Sequence, residues 1–325
     1  MLLTVLILLL SFAVVVWSAD RFVFGAAALA RNLGISPLLI GLTIVAMGSS
    51  APEMMVAAAA SWNGNTDTAV GNVIGSNITN IALVLGLVAI IRPLSIHSGT
   101  LRREMPLLLL VTLLAGWILY DGFLGHMEGV LLAVLFFAVI GGIAWYTLKN
   151  GDPSDPLVEE EVEEVPEGVK TPVALFWLVL GMALLPLSSD YLVGAAIDIA
   201  HALGVSDLVI GLTIIAIGTS LPELAASVAG VMKKADDLAL GNIIGSNLFN
   251  ILAVMALPGL ILPSQLDPAV MARDYPWMLA ITLALLVLAY KPKSGGVRSI
   301  GRLAGVGLLL AFVVYQFTLF YNQAG

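Results

Sequence analysis

Two segments of the chain each place one glutamate in an otherwise apolar stretch. The first is GLTIVAMGSSAPE (41–53), which ends at Glu53, and the second is GLTIIAIGTSLPE (211–223), which ends at Glu223. An ionised carboxylate inside an apolar helix is costly unless it meets a partner or a water-filled cavity. Two carboxylates match the charge of a divalent cation, and hard oxygen ligands suit Ca²⁺. The pair therefore predicts a cation site.

A proline precedes each glutamate. Pro52 cannot donate a hydrogen bond to the carbonyl of Gly48, and Pro222 cannot donate to that of Gly218, so both helices should kink and free backbone carbonyls. Irregular backbone at membrane depth is tolerated where it lines a buried cavity. The same turns also carry hydroxyl oxygens, at Ser49, Ser50, Thr219 and Ser220.

A second pair of segments, GNVIGSNITN (71–80) and GNIIGSNLFN (241–250), is rich in small and polar residues. In each, polar residues recur every four positions and form one stripe on a helix. The stripes are Asn72, Ser76 and Asn80, and Asn242, Ser246 and Asn250. The glycine pairs Gly71/Gly75 and Gly241/Gly245 predict close helix contact. A single Ser, Asn or Pro in a membrane helix is often only structural, but this combination, present twice in register, favours one shared oxygen-rich site.

The two halves of the chain are copies of each other. Residues 41–86 align with 211–256 without gaps, and nearly half of the positions are identical. The same register extends to Asp20 and Asp190, near helix ends, for which we expect a solvated or ion-paired role. A copy of five helices, an odd number, makes the second half run in the opposite direction through the membrane. Many secondary transporters have this arrangement, with the binding site at the repeat interface.

The composition excludes an ordinary soluble protein. Of the 325 residues, 59% are hydrophobic and 11% charged, against about 45–50% and about 25% in soluble domains. Ten segments are long and apolar enough to span a membrane. They lie near 2–30, 37–61, 68–92, 103–120, 125–147, 172–203, 207–231, 238–262, 271–290 and 301–321. We therefore expect an all-α polytopic membrane protein with ten transmembrane helices in two inverted-topology five-helix repeats.

One acidic segment divides the chain. Residues 152–167 contain eight acids and no base, which equals the whole net charge of −8. The predicted organisation is a first repeat at 1–148, an acidic cytoplasmic linker at 149–171 and a second repeat at 172–325. Lys and Arg concentrate in alternate loops, including the linker's flanks. The positive-inside rule then places both termini outside and the linker in the cytoplasm. The N-terminus lacks a basic region and reads as a spanning helix, not as a cleaved signal peptide.

Several chemistries are excluded. The chain has no cysteine, which removes disulfides, thiolate catalysis and cysteine-ligated metal sites. It has no HExxH or GxSxG motif, and His97, His126 and His201 lie outside the paired segments. A TVGYG-like channel filter is also missing. We therefore expect a carrier that is not an enzyme, in a lipid bilayer, with no cofactor, no nucleic acid and no obligatory protein partner.

The motif pair GSSAPE…GNVIGSN and GTSLPE…GNIIGSN resembles the α-repeats of the cation/calcium exchanger superfamily, in particular its sodium/calcium exchanger branch. The resemblance covers nearly the whole chain and is to a compact prokaryotic member of the cytoplasmic (inner) membrane. It implies Ca²⁺ and Na⁺ as transported substrates, with the first and sixth helices sliding across the rest.

The resemblance also implies a ligand set. Glu53 and Glu223 would bind Ca²⁺, with carbonyl oxygens from Ser49 and Thr219. The implied Na⁺ ligands are Ser50, Ser76, Ser220 and Ser246, together with the carbonyls of Ala46 and Ala216. Asn80 is the residue that the family usually has at its position, whereas some relatives have Asp in place of Asn250. Because an Asp near this position is linked to K⁺ in potassium-dependent relatives, Asn250 argues against K⁺ dependence.

The resulting hypothesis is electrogenic Na⁺/Ca²⁺ exchange by alternating access. Both ions would use overlapping ligands, and the carrier would reorient only when its carboxylates are neutralised. Proton-coupled transport of Ca²⁺ or another divalent cation on the same scaffold is the nearest alternative. A passive cation channel is a remote one.

Overall fold

The protein consists of long apolar helices joined by short loops. The computed structural model describes residues 2–34, 48–96, 101–150, 166–232, 236–290 and 298–321. Its helices are α1 Leu2–Asn32, α2 Ala51–Trp62, α3 Thr66–Ile91, α4 Leu101–Ile118, α5 His126–Asn150, α6 Thr171–Leu203, α7 Asp207–Met232, α8 Asp236–Ile261, α9 Val270–Tyr290 and α10 Arg302–Tyr321. Where both ends are described, they lie within three residues of the predicted ends.

Eight of the described helices are long and apolar enough to cross a membrane. The apolar part of α4, Glu104–Ile118, is shorter. The structure shows 12 residues of α2, and the first part of the predicted segment 37–61 lies outside the described residues. Most of the linker, 151–165, also lies outside them. The expectation of an all-helical membrane protein is confirmed.

The central helices of the fold are α3 and α8. Within the most apolar stretch of each, 78% of α3 and 83% of α8 is buried, against 22% in α1 and α6. Both central helices widen into a π-helical turn at matching positions, Thr79–Val84 and Asn250–Val254. Such turns are frequent at functional sites. The polar stripes of the two repeats therefore lie in the most protected part of the molecule.

Glycines allow the central helix α3 to approach α7 closely. A Cβ atom on Gly71 would lie 2.6 Å from the carbonyl oxygen of Leu208, and one on Gly211 would lie 2.5 Å from that of Thr68. Gly75 lies equally close to Leu212 and Ala216. The close contact predicted for Gly71 and Gly75 is confirmed, whereas a Cβ atom on Gly245 would meet nothing within 4 Å among the described residues. The first-half segment that matches α7 at this crossing, 41–46, lies outside the described residues.

Helices α1 and α6 form an antiparallel pair and pack chiefly against each other. Gly25 lies against the backbone of Ala174 and Leu178, and Gly181 lies against Phe22. This close contact joins the first helix of one repeat to the first helix of the other.

Two short antiparallel sheets tie the halves together at the helix ends. Strand β1 (Leu94–Ile96) pairs with β4 (Arg298–Ile300), and β2 (Phe123–Leu124) pairs with β3 (Ser264–Gln265). Each sheet joins a loop of the first half to a loop of the second. Strands of two or three residues are too short to show a period of two, so the sequence does not predict them.

Candidate cation site

The helices that carry the two glutamates break at equivalent residues. Helix α2 begins at Ala51 after Ser50, whose backbone has φ −88° and ψ 6°. In α7 the break falls at Ser220, with φ −84° and ψ 3°. Each break comes two residues before a proline, which cannot donate a backbone hydrogen bond. The same local sequence therefore produces the same kink in both halves, as predicted.

Glu53 and Glu223 are completely buried and have no basic partner among the described residues. Neither carboxylate oxygen of Glu53 has a hydrogen-bond partner there, and Glu223 Oε2 has none. Asp274, equally buried, has an ion pair with Arg273 (2.7 Å) and accepts a hydrogen bond from Tyr315 (3.1 Å). A buried charge without a partner costs several kcal/mol. No described side chain therefore supplies the positive charge that the glutamate pair needs.

Hydroxyl groups from the two halves meet across the interface. Ser49 Oγ lies 3.0 Å from Ser246 Oγ, and Ser76 Oγ lies 3.4 Å from Thr219 Oγ1. Under the repeat these two contacts are equivalent, because Ser49 matches Thr219 and Ser76 matches Ser246. The kinked turn of each half thus contacts the polar stripe of the other half.

Further bonds connect these hydroxyls to the glutamates. Ser246 donates to Glu223 Oε1 (3.3 Å), and Thr219 donates to Asn72 Oδ1 (3.2 Å). The Asn72 amide in turn donates to the backbone carbonyl of Glu53 (3.4 Å). These distances are long for protein hydrogen bonds. The oxygens are therefore close together, but the hydrogen bonds between them are weak.

Several buried oxygens at the site have no hydrogen-bond partner within the described part of the chain. Besides the carboxylates, they are the hydroxyls of Ser50 and Ser220 and the side-chain oxygens of Asn80 and Asn250. All four residues are at most 1% exposed. Buried polar atoms are normally satisfied. Partnerless oxygens around two unpaired carboxylates have the donor chemistry of a cation-binding site.

Of the two backbone carbonyls predicted as Na⁺ ligands, those of Ala46 and Ala216, the structure describes only that of Ala216. The carbonyl of Ala216 accepts a hydrogen bond from the Ser220 N–H at 3.2 Å, which uses one of its two lone pairs. Ala46 lies outside the described residues, as does His97. Among the described residues, no group of three or more His, Asp or Glu side chains could hold a metal ion. Within the described residues, the candidate site therefore has two carboxylates, and its other oxygens belong to hydroxyl, amide and backbone groups.

Two asparagines not among the predicted ligands also belong to this region. Asn77 and Asn247 are each 1% exposed, and Asn247 bonds to Asn80 at 3.0 Å. Both occur in the repeated motif GSN, so their duplication in register is the signal that could have found them.

A cavity of about 770 Å³ reaches the site from one side. It is lined by Phe12 and Asp20 of α1, by Ser49 and Pro52 near the first kink, and by Ala226 of α7. Ala226 lies one turn beyond Glu223, toward the end of α7 at Met232. The cavity therefore approaches the glutamates from the side on which α7 ends.

The peripheral acids have ordinary partners, in agreement with the sequence prediction. Asp20 pairs with Arg21, and Asp190 accepts a hydrogen bond from the Asn63 amide at 2.6 Å. His201 lies 3.3 Å from Asp207 at a helix end. None of these is placed at the site.

Known proteins of the same architecture identify the family. A family model described as sodium/calcium exchanger protein matches residues 3–145 and 173–321. The chain belongs to this family. It is an integral membrane antiporter of the cation/calcium exchanger group and not an enzyme, and the resemblance read from the motifs is confirmed.

Named relatives match this exchanger over their full lengths. The putative antiporter CaxA of Alkalimonas amylolytica is 53% identical over 98% of this chain and 99% of its own. The inner membrane protein YrbG of Escherichia coli K12 is 44% identical, with coverage of 99% and 98%. A solved structure of the sodium-calcium exchanger NCX_Mj, soaked with Na⁺ and Sr²⁺, has a TM-score of 0.63 at 32% identity, over 96% of this chain and 97% of its own.

Proposed function

We propose that this exchanger moves Na⁺ and Ca²⁺ in opposite directions by alternating access, electrogenically. The observation that carries the proposal is the pair Glu53 and Glu223, buried without a basic partner and surrounded by partnerless oxygens. One Ca²⁺ supplies the two positive charges that the pair needs, and Na⁺ ions supply them one at a time. The similarity to NCX_Mj supports Na⁺ as the counter-ion.

The proposed ligands divide by charge. Ca²⁺ is held by the two carboxylates with backbone oxygens of Ser49 and Thr219. The proposed Na⁺ ligands are the hydroxyls of Ser50, Ser76, Ser220 and Ser246 and the carbonyls of Ala46 and Ala216. Asn80 and Asn250 supply amide oxygen beside them. Contacts between the halves support overlap of these sites, because Ser246 touches both Glu223 and Ser49.

Coupling follows from the cost of an unneutralised site. Bare carboxylates crossing a low-dielectric barrier are prohibitive, so only the Ca²⁺-bound or the Na⁺-bound carrier reorients. We propose that α1 and α6 move as a pair over the other helices. Their close mutual packing supports this, as does a cavity between α1 and the two kinks.

We also propose ten spans in two inverted repeats, 1–148 and 172–325, joined by the linker 149–171. Both termini lie outside and the linker lies in the cytoplasm of a prokaryotic inner membrane. The paired strands support this order. If successive helices cross the membrane in opposite directions, the loops that contain β1 and β4 lie on one side of the membrane. The loops that contain β2 and β3 then lie on the other side, so each strand is on the same side as its partner.

The decisive experiment is Na⁺-gradient-driven ⁴⁵Ca²⁺ uptake in vesicles reconstituted with the purified protein. Uptake should follow the Na⁺ gradient and fall to the level of empty vesicles in Glu53→Gln, which lacks one of the two charges. Glu128→Gln is the matched control, because Glu128 lies in the first turn of α5, away from the two kinks, and accepts a hydrogen bond from the N–H of Gly125 just before that helix. Uptake that ignores the gradient, or survives in Glu53→Gln, contradicts the proposal.

A proton can also neutralise a buried carboxylate, so H⁺ is the alternative counter-ion. A pH gradient imposed without a Na⁺ gradient separates the two. Ca²⁺ uptake driven by the pH gradient alone would assign proton coupling.

A further inference from the structure

A chain of amide contacts connects the two halves next to Ser246, which donates to Glu223. The Asn247 amide nitrogen donates to the backbone carbonyl of Asn77 at 3.3 Å. The Asn80 amide nitrogen donates to Asn247 Oδ1 at 3.0 Å. All three side chains are at most 1% exposed, so water does not compete for these bonds.

The chemistry of the chain dictates the orientation of each amide. A backbone carbonyl only accepts hydrogen bonds, so Asn247 must turn its NH₂ group toward Asn77 and its oxygen toward Asn80. Asn80 must then present its own NH₂ group to that oxygen. Asn80 Oδ1 is left pointing away from Asn247, and it is buried without a partner in the described part of the chain.

We propose that Asn247 is a positioning residue that fixes the Asn80 amide with its oxygen available to the bound cation. This inference rests on the proposed function, in which Asn80 lies at the cation site. Without Asn247 the Asn80 amide can rotate and present NH₂ hydrogens, which repel a cation. Partners of this kind, one step behind a metal ligand, orient it and commonly change affinity by about 10–100-fold.

The equivalent position in the other half does not perform this role. The Asn77 amide donates to Met278 Sδ at 3.5 Å. Neither amide atom of Asn250 has a partner among the described residues. The two GSN motifs therefore have the same sequence but different contacts. Only the motif of the second half orients an amide of the opposite half, that of Asn80.

A double-mutant cycle tests the proposal without requiring transport. The measured quantity is the concentration of Ca²⁺ alone, and of Na⁺ alone, that half-maximally stabilises the purified full-length protein against heat. Asn247→Leu should raise it on the order of tenfold. In the Asn80→Ala background the same change should have almost no effect, because the amide that it orients is gone. Asn77→Leu, an identical change at equal burial, is the matched control and should show no such coupling to Asn80→Ala.

The outcomes separate the two proposals. Equal shifts from Asn247→Leu in both backgrounds would mean a merely structural role and overturn this inference alone. A wild-type protein that neither ion stabilises, and that shows no exchange in vesicles, would overturn the proposed function and this inference together. Should Asn247→Leu not fold, Asn247→Ala removes the same amide without added bulk and enters the same cycle.

Discussion

At the scale of single residues, the chain treats its buried acids in two ways. Asp274 has Arg273 and Tyr315 as partners, and Asp236 pairs with Arg92 (3.7 Å) and accepts from the backbone of Ser95. Glu53 and Glu223 have no basic partner within the described residues. A low dielectric penalises all these charges alike. The difference supports the proposal that the internal pairs are structural and that the two glutamates bind a transported ion.

Ser50 and Ser61 provide a residue-scale test on one helix. Both are at most 1% exposed, but Ser61 donates to the Ala57 carbonyl at 2.7 Å, whereas Ser50 Oγ has no partner among the described residues. Ser50→Ala should weaken stabilisation by Na⁺ by about 1 kcal/mol, roughly a fivefold change in the half-stabilising concentration. Without cations it should not destabilise, because no hydrogen bond is lost. Titrations of the melting temperature with Na⁺ measure both effects.

The control is Ser61→Ala, whose Na⁺ titration should match that of the wild type. If Ser50→Ala also titrates like the wild type, then Ser50 is not a cation ligand.

At the scale of elements, the distance between α3 and α7 determines whether polar side chains of the two halves meet. Gly71, Gly75 and Gly211 bring the two helices into backbone contact. That approach places Ser76 beside Thr219. The glycines thus set the distance between the two helices, and that distance brings together the hydroxyls that we propose as ligands.

Gly75→Ala should destabilise the protein by about 1–3 kcal/mol through overpacking. The added Cβ would lie 2.7 Å from Ala216 Cβ and 2.8 Å from Leu212 Cα. It should also lower ⁴⁵Ca²⁺ uptake, because α7 must move away from Ser76. Thermal unfolding followed by tryptophan fluorescence, together with vesicle uptake, checks both effects.

Gly141→Ala in α5 is the matched control. Gly141 is exposed, and beyond its own stretch of helix no described atom lies within 4 Å of an added Cβ, so this change should leave both quantities unchanged. Equal effects of the two substitutions would show that helix propensity, and not the α3–α7 contact, is responsible.

At the scale of the whole molecule, the proposed movement of α1 and α6 as a pair can be tested at two contacts. The Asn63–Asp190 hydrogen bond links α6 to the end of α2 on the opposite side of the glutamates from the cavity. Trp17 and Trp177 link α1 to α6, with ring centroids 6.0 Å apart. The Asn63–Asp190 bond joins the proposed moving pair to the other helices, whereas the Trp17–Trp177 contact lies within the pair.

Because the chain contains no cysteine, engineered cysteine pairs joined by a bis-methanethiosulfonate cross-linker can test this motion; a spacer is used because a direct disulfide requires Cα atoms within about 7 Å. Cross-linking the double variant Asn63→Cys/Asp190→Cys should reduce uptake to that of empty vesicles, and a reductant should restore it. Cross-linking Trp17→Cys/Trp177→Cys should leave uptake intact. Equal inhibition by both cross-links would contradict movement of α1 and α6 as a pair.

The same cysteine-free background tests the orientation of the whole protein. Asp121 and Glu167 are both exposed and lie in different loops. A membrane-impermeant maleimide added to right-side-out spheroplasts should label Asp121→Cys at once and Glu167→Cys only after permeabilisation. The reverse pattern would place both termini in the cytoplasm.

The sequence by itself determined the duplicated motifs, the family and, where both ends of a helix are described, the helix ends to within three residues. These features are local or periodic: an apolar run of membrane length must be a helix, and a repeat in register is visible without coordinates. The two kinks were also predictable, because proline removes the same hydrogen bond wherever it occurs.

Only the tertiary structure decided which oxygens meet. The contacts of Ser49 with Ser246 and of Thr219 with Ser76 depend on how closely helices from different halves approach. The Asn80 amide donates to Asn247, 167 positions away, whereas within the described residues the equivalent Asn77 makes no such bond to Asn250. Sequence identity between repeats cannot reveal such a difference, because the packing around each motif sets the direction of every hydrogen bond.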